Sequence, residues 1–135
     1  MKISGEVNIK DEEKAIKFIS SYENLIHCIP GVTEVDGKKF KAKAKIGFLT
    51  LEVDGEVKSY EFKDNESKSV IEVKGPGVIS TISSIVKVMG NKLVYEVEYD
   101  AQVTIKGLER IVHSQAEKIS REIIDCTKKS IDSLQ

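Results

Sequence analysis

The C-terminal stretch from residue 107 to residue 134 constrains the fold more than any other part of this chain. Its apolar side chains recur mostly at steps of three or four residues, at Leu108, Ile111, Val112, Ala116, Ile119, Ile123, Cys126 and Leu134. This period predicts one long amphipathic helix. At about 1.5 Å per residue the helix would be roughly 40 Å long, so its apolar side needs a partner of similar width. The rest of the chain can supply that partner as a sheet.

Length and charge limit the class of protein. A chain of 135 residues, 40% of them hydrophobic, can bury one substantial core, so we predict a single domain over residues 1–135. The 21 basic and 22 acidic residues are interspersed, which argues against binding to nucleic acid. No apolar run approaches the roughly 20 residues of a membrane span, so we expect a cytoplasmic protein. Lysine outnumbers arginine by 19 to 2, a balance typical of thermophiles.

The first 31 residues predict one strand followed by two short helices. Period-two alternation indicates a half-buried strand with Ile3, Gly5, Val7 and Ile9 on one face. Asp11 and Ser21 are suitable N-caps for the two helices. Pro30 and Gly31 end the second helix, because neither residue favours its continuation.

Six antiparallel strands are predicted between Val32 and the long helix. A two-residue turn at Gly47 and Phe48 gives opposite charges in three of four cross-strand pairs. Those pairs are Lys45 with Thr50, Lys43 with Glu52, Lys41 with Asp54 and Lys39 with Glu56. The lysines are therefore predicted to form a solvated face, and the apolar residues between them to face inward.

Two later hairpins complete the predicted sheet. Turn residues mark the first at Asp64 and Asn65 and the second at Gly90 and Asn91. The second turn pairs inward-facing residues on the last two strands: Val88 with Leu93, Val86 with Tyr95, Ser84 with Val97, Ile82 with Tyr99 and Ser80 with Ala101. The charged residues of both strands then lie on the opposite face.

Small side chains are concentrated where the predicted sheet faces the helix. They are Ala42, Ala44, Ser80, Ser84 and Ala101 on the strands, with Ala116 and Ser120 on the helix. Small residues on both walls leave volume unfilled, and such a space is either a ligand cavity or a core closed by large neighbours. The neighbours that could close it are Phe18, Phe40, Tyr95 and Tyr99. Both interpretations remain open from the residues alone.

The order of elements resembles the helix-grip fold shared by lipid-transfer START domains, the birch-pollen allergen and polyketide cyclases. Two segments, MKISG at residues 1–5 and ENLIHCIPGV at residues 23–32, resemble a narrower group, the CoxG family of carbon monoxide dehydrogenase subunits. Members of that family open with a similar strand and carry an ENL-x-x-CIPG-V segment. The resemblance covers nearly the whole chain, and its most specific part is CIPG at residues 28–31, called here the CIPG segment.

The resemblance implies an α+β helix-grip fold. In it, a curved antiparallel seven-stranded sheet, two short helices and a long C-terminal helix enclose an apolar cavity with the CIPG segment at its mouth. It further implies a non-catalytic accessory protein that binds a lipid or an isoprenoid quinone. The family is linked to maturation or membrane recruitment of carbon monoxide dehydrogenase-like molybdenum enzymes. Many members continue into a membrane-spanning tail, whereas this sequence ends at Gln135, so we expect membrane recruitment through a partner or the ligand.

The predicted ligand-binding residues combine the CIPG segment with inward-facing positions of the strands and helices. They are Phe18, Cys28, Ile29, Pro30, Ala44, Leu51, Ser80, Ile82, Ser84, Tyr95, Val97, Tyr99, Val112, Ala116, Ile119 and Ile123. An architectural role for the segment is equally open. Pro30 favours an extended residue before it, and Gly31 can take a positive φ angle, so the pair can simply form a fixed turn.

No metal ion, cofactor or catalytic residue is predicted. His27 and Cys28 are adjacent, which is not the spacing of zinc ligands. Cys28 and Cys126 are far apart in sequence, a distribution that favours free thiols in a reducing compartment. A disulfide between them stays open as the alternative.

Two other functions also stay open. One is a ligand-free module that assists assembly of a dehydrogenase. The other is a small-molecule enzyme of the polyketide cyclase type, in which Tyr95 or Tyr99 would act as an acid. An enzyme would need an inward carboxylate or histidine, and the carboxylates placed by the register face outward: Glu52, Asp54, Glu56, Glu96 and Glu98. The sequence therefore favours a carrier or accessory protein.

Overall fold

The computed structural model describes residues 1–46, 49–104, 107 and 109–134. The described part contains one strand, two short helices, six strands and one long helix, in the predicted order. They are β1 (Lys2–Asn8), α1 (Glu12–Ile19), α2 (Tyr22–His27), β2 (Val32–Asp36), β3 (Lys39–Ile46), β4 (Leu49–Lys63), β5 (Glu66–Gly75), β6 (Val78–Met89), β7 (Lys92–Val103) and α3 (Glu109–Ser133). The predicted turn at Gly47 and Phe48 lies outside the described residues, as does Leu108.

The helix starts follow from local hydrogen bonding. Asp11 is the N-cap of α1, and its carboxylate accepts a hydrogen bond from the Lys14 N–H at 3.0 Å. α3 begins at Glu109, later than the predicted start at residue 107. Gly107 has a φ angle of 91°, a left-handed conformation that an α-helix does not contain, and its N–H donates to the Glu109 carboxylate at 3.1 Å.

The seven strands form one antiparallel sheet in the order β1-β7-β6-β5-β4-β3-β2. The register predicted from charge pairing is confirmed, with Lys39 opposite Glu56 and Lys43 opposite Glu52. The register of the β6–β7 hairpin is also confirmed from Ser80 opposite Ala101 to Val88 opposite Leu93. In β4, which is 15 residues long, the register shifts between Val57 and Ser59. Such a bulge bends a strand, which lets the sheet curve around α3.

Most of the buried apolar residues in the described part of the chain group into three clusters. The closed-end cluster contains Ile9, Ala15, Ile19, Val88, Leu93 and Ile131. The α2 cluster contains Ile26, Phe40, Ala42, Val57 and Ile71. The third, at the N-terminal part of α3, contains Tyr99, Val112 and Ala116. Ile82 packs against both the α2 cluster and the third cluster, whereas the closed-end cluster shares no packing residue with either of them.

α3 turns a slightly different side to the protein than its sequence predicts. Its buried residues are Val112, Ala116, Ile124, Thr127 and Ile131. Ile111, which the pattern places on the apolar side, is 36% exposed. That part of the prediction is wrong because Val112 and Ala116 pack against Tyr99, which turns Ile111 away from the sheet. Among the described residues no helix is both long enough and apolar enough to cross a membrane.

Candidate functional site

A cavity of about 400 Å³ lies between α3 and the inner face of the sheet. Its size is within the range of sites that hold small organic ligands. The apolar part of its wall comprises Leu25, Ile29, Pro30, Phe40, Ala42, Ala44, Leu51, Val53, Ile71, Val73, Val78, Ile82, Val86, Val97, Val112, Ala116, Ile119, Ile123 and Ile124. This lining suits a hydrophobic guest, because binding would remove apolar surface of both partners from water.

The four large side chains that could have closed this space lie elsewhere or form part of its wall. Phe18 packs against the closed-end cluster. The Phe40 ring lies over Gly55, where an added Cβ would come within 2.1 Å of it. The Tyr95 hydroxyl lies over Gly5 in the same manner, at 2.7 Å from an added Cβ. Tyr99 lines the wall. Because two of the four aromatic rings lie over glycines, they do not fill the cavity.

The CIPG segment forms one side of the cavity through Ile29, Pro30 and Gly31. Gly31 has a φ angle of 80°, and a Cβ there would lie 2.3 Å from the Lys43 carbonyl oxygen. The Lys43 N–H in turn donates to the Gly31 carbonyl oxygen at 2.9 Å. Glycine is needed at this position for both conformation and space. The segment therefore anchors to β3 as well as lining the cavity.

Two hydroxyl pairs provide polar groups on the sheet side. Ser80 Oγ and the Tyr99 hydroxyl are buried and 3.1 Å apart. Ser69 and Ser84 form a second hydroxyl–hydroxyl hydrogen bond across β5 and β6. Burial raises the pKa of the Tyr99 phenol above its usual 10.0, and the Ser80 hydrogen bond only partly opposes this shift. Tyr99 is thus protonated at neutral pH and can donate a hydrogen bond to a ligand oxygen.

The groups that acid–base catalysis would require are sparse here. Among the described lining residues, Glu122 is the single carboxylate and there is no histidine; Glu122 itself is exposed. The His113 ring meets Tyr99 edge-on, 6.2 Å between centroids, but His113 is exposed and outside the lining. Within the described ranges, no three histidine, cysteine, aspartate or glutamate side chains gather into a metal-binding group.

Cys28 and Cys126 form a disulfide, which corrects the prediction of free thiols. Their Cα atoms are 5.5 Å apart although 98 residues separate them in sequence. Cys28 is the C-cap of α2 and is 5% exposed, whereas Cys126 is half-buried on α3. The bond forms because the fold brings the end of α2 against α3, a proximity that spacing along the chain does not reveal.

The structure gathers most of the predicted ligand-binding residues around one space. All of them line the cavity except Phe18, Cys28 and Tyr95, and their binding of a ligand stays a prediction. The other lining residues were not among the predicted ligand-binding residues, although Ala42 and Ser120 were predicted to border the space: Leu25, Gly31, Phe40, Ala42, Lys43, Lys45, Val53, Ile71, Val73, Gly75, Val78, Val86, Gln115, Lys118, Ser120, Glu122, Ile124 and Thr127. The predicted registers already place Val53 and Val86 on the inner face, so strand alternation could have found them.

Solved structures share this architecture over nearly their whole length. A conserved protein from Geobacillus kaustophilus is 16% identical, with 97% of this chain and 95% of that chain covered and a TM-score of 0.66. A START superfamily protein from Mycobacterium smegmatis is 12% identical, with 99% of each chain covered and a TM-score of 0.63. Ara h 8.0201 is 14% identical, with 99% of each chain covered and a TM-score of 0.64. The chain therefore has the helix-grip fold.

Sequence comparison gives a narrower result. The family model for CoxG, a subunit of carbon monoxide dehydrogenase, matches residues 5–132, which is most of the chain. No curated protein matches the chain. The match includes the CIPG segment, α3 up to Asp132 and every strand between them.

Proposed function

Because the chain belongs to the CoxG family of carbon monoxide dehydrogenase subunits, we propose that it is a non-catalytic accessory protein that binds a lipid or quinone. The observation that carries this proposal is the cavity of about 400 Å³ beneath α3. Its wall is mainly aliphatic, and its buried polar pair, Ser80 and Tyr99, is made of neutral hydroxyls. Such a site favours an apolar ligand that carries an uncharged oxygen.

The hydroxyl pair suggests how a ligand would be oriented. Tyr99 is protonated at neutral pH, so its O–H can donate to a carbonyl oxygen of a quinone ring or of a lipid ester. The aliphatic residues of α3, among them Ile119 and Ile123, would then cover the rest of the ligand. Both isoleucines are half-buried, so a ligand could cover apolar surface that the protein leaves uncovered.

A cyclase-type enzyme is the weaker alternative. It would require an acid or base beside the ligand, and Glu122 is the sole carboxylate among the described lining residues. A ligand-free assembly module is compatible with the fold but assigns no role to the cavity. The carrier accounts for the cavity and its neutral polar pair together.

The proposed client is a carbon monoxide dehydrogenase-like molybdenum enzyme, as the family name suggests. Recruitment of that enzyme to a membrane would follow if the bound lipid or quinone had to be collected there. Pull-down of a molybdenum hydroxylase from cell extract by the immobilised protein tests the partnership. Equal capture by the cavity-filling variants Ala116→Phe and Ser84→Phe, which should bind no ligand, would favour the ligand-free module instead.

Filling the cavity tests the proposed site directly. Ala116→Phe and Ser84→Phe each place a ring in the cavity and should abolish binding of decylubiquinone and of a fluorescent fatty acid. The cost to folding should be about 1 to 3 kcal/mol or less, because the ring enters existing space. Mass spectrometry of organic extracts should find a lipid or quinone with the wild-type protein and none with these variants.

Ser83→Phe is the matched control. Ser83 is the neighbour of Ser84 on β6 but pairs with Val70 and Glu98 on the outer face. This variant adds the same ring to the same strand without entering the cavity, so binding should persist. Unchanged binding by both inward variants would refute the assignment of the site.

A further inference from the structure

The disulfide joins two segments that line the cavity. Cys28 is followed at once by the lining residues Ile29 and Pro30. Cys126 lies on α3 between the lining residues Ile124 and Thr127. The bond therefore sets the distance between the CIPG segment and α3 along one side of the cavity.

The other contacts of the CIPG segment hold it to its own neighbours in the chain and to the sheet. Toward α2, the Cys28 N–H donates to the Leu25 carbonyl and the Ile29 N–H donates to the Ile26 carbonyl, each at 3.0 Å. Toward the sheet, the Gly31 carbonyl accepts a hydrogen bond from the Lys43 N–H of β3. Toward α3, Cys28 Sγ is 4.0 Å from Ser130 Oγ, a weak contact. The covalent bond is thus the strong connection to the helix.

The geometry points to a redox gate at this side of the cavity. With the Cys28–Cys126 bond formed, the CIPG segment and α3 stay together and the ligand is retained. With the bond reduced, the two segments can separate and the ligand exchanges faster. The gate rests on the proposed function, because it controls a ligand that the cavity must first bind.

The reductant is a protein dithiol. One of its thiolates attacks the sulfur of Cys126, the more exposed of the two residues, and the Cys28 sulfur leaves as a thiolate that takes up a proton. The second thiol then attacks the mixed disulfide and releases Cys126. Two electrons and two protons pass from the dithiol to the two cysteines, and the dithiol becomes a disulfide.

The test measures how fast a probe leaves the cavity. Wild-type protein is loaded with the uncharged fluorescent dye Nile red, which carries a carbonyl oxygen, and dissociation is followed by stopped-flow fluorescence before and after treatment with dithiothreitol. Thiol titration verifies reduction. We expect the dissociation rate to rise about tenfold, which corresponds to about 1.4 kcal/mol in the barrier.

Two variants distinguish the effect of the disulfide from the effect of the side chains around it. The double variant Cys28→Ser/Cys126→Ser should release the probe at the fast rate and ignore dithiothreitol. Ser130→Ala keeps both cysteines and removes the hydroxyl beside them, so it should retain the slow rate and its response to reduction.

Hydrogen exchange gives a readout that needs neither variant nor probe. On reduction, the Cys28 and Ile29 amides should exchange faster, while α1 amides at the closed end should keep their protection. Equal dissociation rates in fully oxidised and fully reduced protein, or faster exchange throughout the molecule, would overturn the gate and leave the ligand site standing. Failure of the probe to bind in either state would overturn the proposed function, and the gate with it.

Discussion

The C-terminal end of α3 and its middle part have very different surroundings. Near its C-terminal end, Ile131 is 0% exposed and packs with Ile9, Ala15 and Leu93 in the closed-end cluster. In its middle, Ile119 and Ile123 are half-buried and line the cavity. An amphipathic pattern therefore predicts which side of a helix turns inward but not how tightly that side is packed.

The difference comes from what lies opposite each part. At the closed end, α1 and the β6–β7 hairpin supply Ile19, Val88 and Leu93, which fill the space. Opposite the middle, β3 and β6 supply Ala44 and Ser84, which do not. We therefore expect the closed-end cluster to contribute most to folding stability. A ligand should bind opposite the middle of α3.

Truncating one isoleucine in each part gives the largest expected effect. Ile131→Ala should lower the free energy of unfolding by about 2 to 5 kcal/mol, because it creates a void in a filled cluster. Ile123→Ala should cost about 1 kcal/mol or less, because its side chain already borders open space and buries less surface. Urea unfolding of the two variants measures the difference. Equal losses would contradict the contrast between the two parts.

A methyl group added at Gly55 should cause part of the cavity to be filled. Gly55→Ala places its Cβ against the Phe40 ring and should push that ring toward the cavity. We expect a loss of about 1 to 3 kcal/mol in unfolding free energy together with weaker probe binding. The double variant Gly55→Ala/Phe40→Leu should recover part of both losses. Additive losses in that cycle would show that the two positions do not interact.

The smallest expected effect is a pH dependence at the closed end. The Lys128 ammonium at 2.8 Å and the Lys10 N–H at 2.9 Å hold the pKa of Asp132 below its usual 3.8. A lowered pKa contributes stability that is present above pH 3.8 and is lost as pH falls through the folded-state value. Asp132→Asn should therefore flatten the acid part of the stability curve.

Urea unfolding between about pH 5 and about pH 2 measures this effect. Asp125→Asn is the control, since Asp125 pairs with Lys129 at 2.9 Å on an exposed part of the same helix and does not bond to Lys10. If the unfolding free energy of Asp132→Asn still falls steeply as the pH is lowered, the pH dependence comes from other groups.

Local sequence rules were sufficient for the secondary structure and for most of the sheet. Opposite charges on β3 and β4 and the turn at Gly90 and Asn91 give the correct registers, and alternation then assigns each residue to a face. That assignment brought Ser80, Ser84 and Tyr99 to the cavity wall, and the helical period of α3 brought Ala116 there. These successes have a common cause, since pairing across a tight turn depends on residues close together in the chain.

Sequence reasoning was weaker where distant segments meet. Phe18 and Tyr95 face inward as predicted by their patterns, yet Phe18 packs into the closed-end cluster and Tyr95 lies over Gly5 of β1. For Cys28 and Cys126 the sequence favoured free thiols, and the disulfide that they form was only the alternative. The partners of Tyr95 and Cys28 lie on elements far away in sequence, and the pattern within one element says nothing about their identity.

The sequence by itself determined the order of the elements, the strand registers and the abundance of small residues facing the helix, because these depend on local spacing and composition. Tertiary structure alone decided that the small residues border one shared space, that two glycines take up the rings able to close it, and that a disulfide fixes one of its sides. The reason is physical: packing and cross-linking depend on three-dimensional distances between side chains, which are set only when the sheet curves around α3.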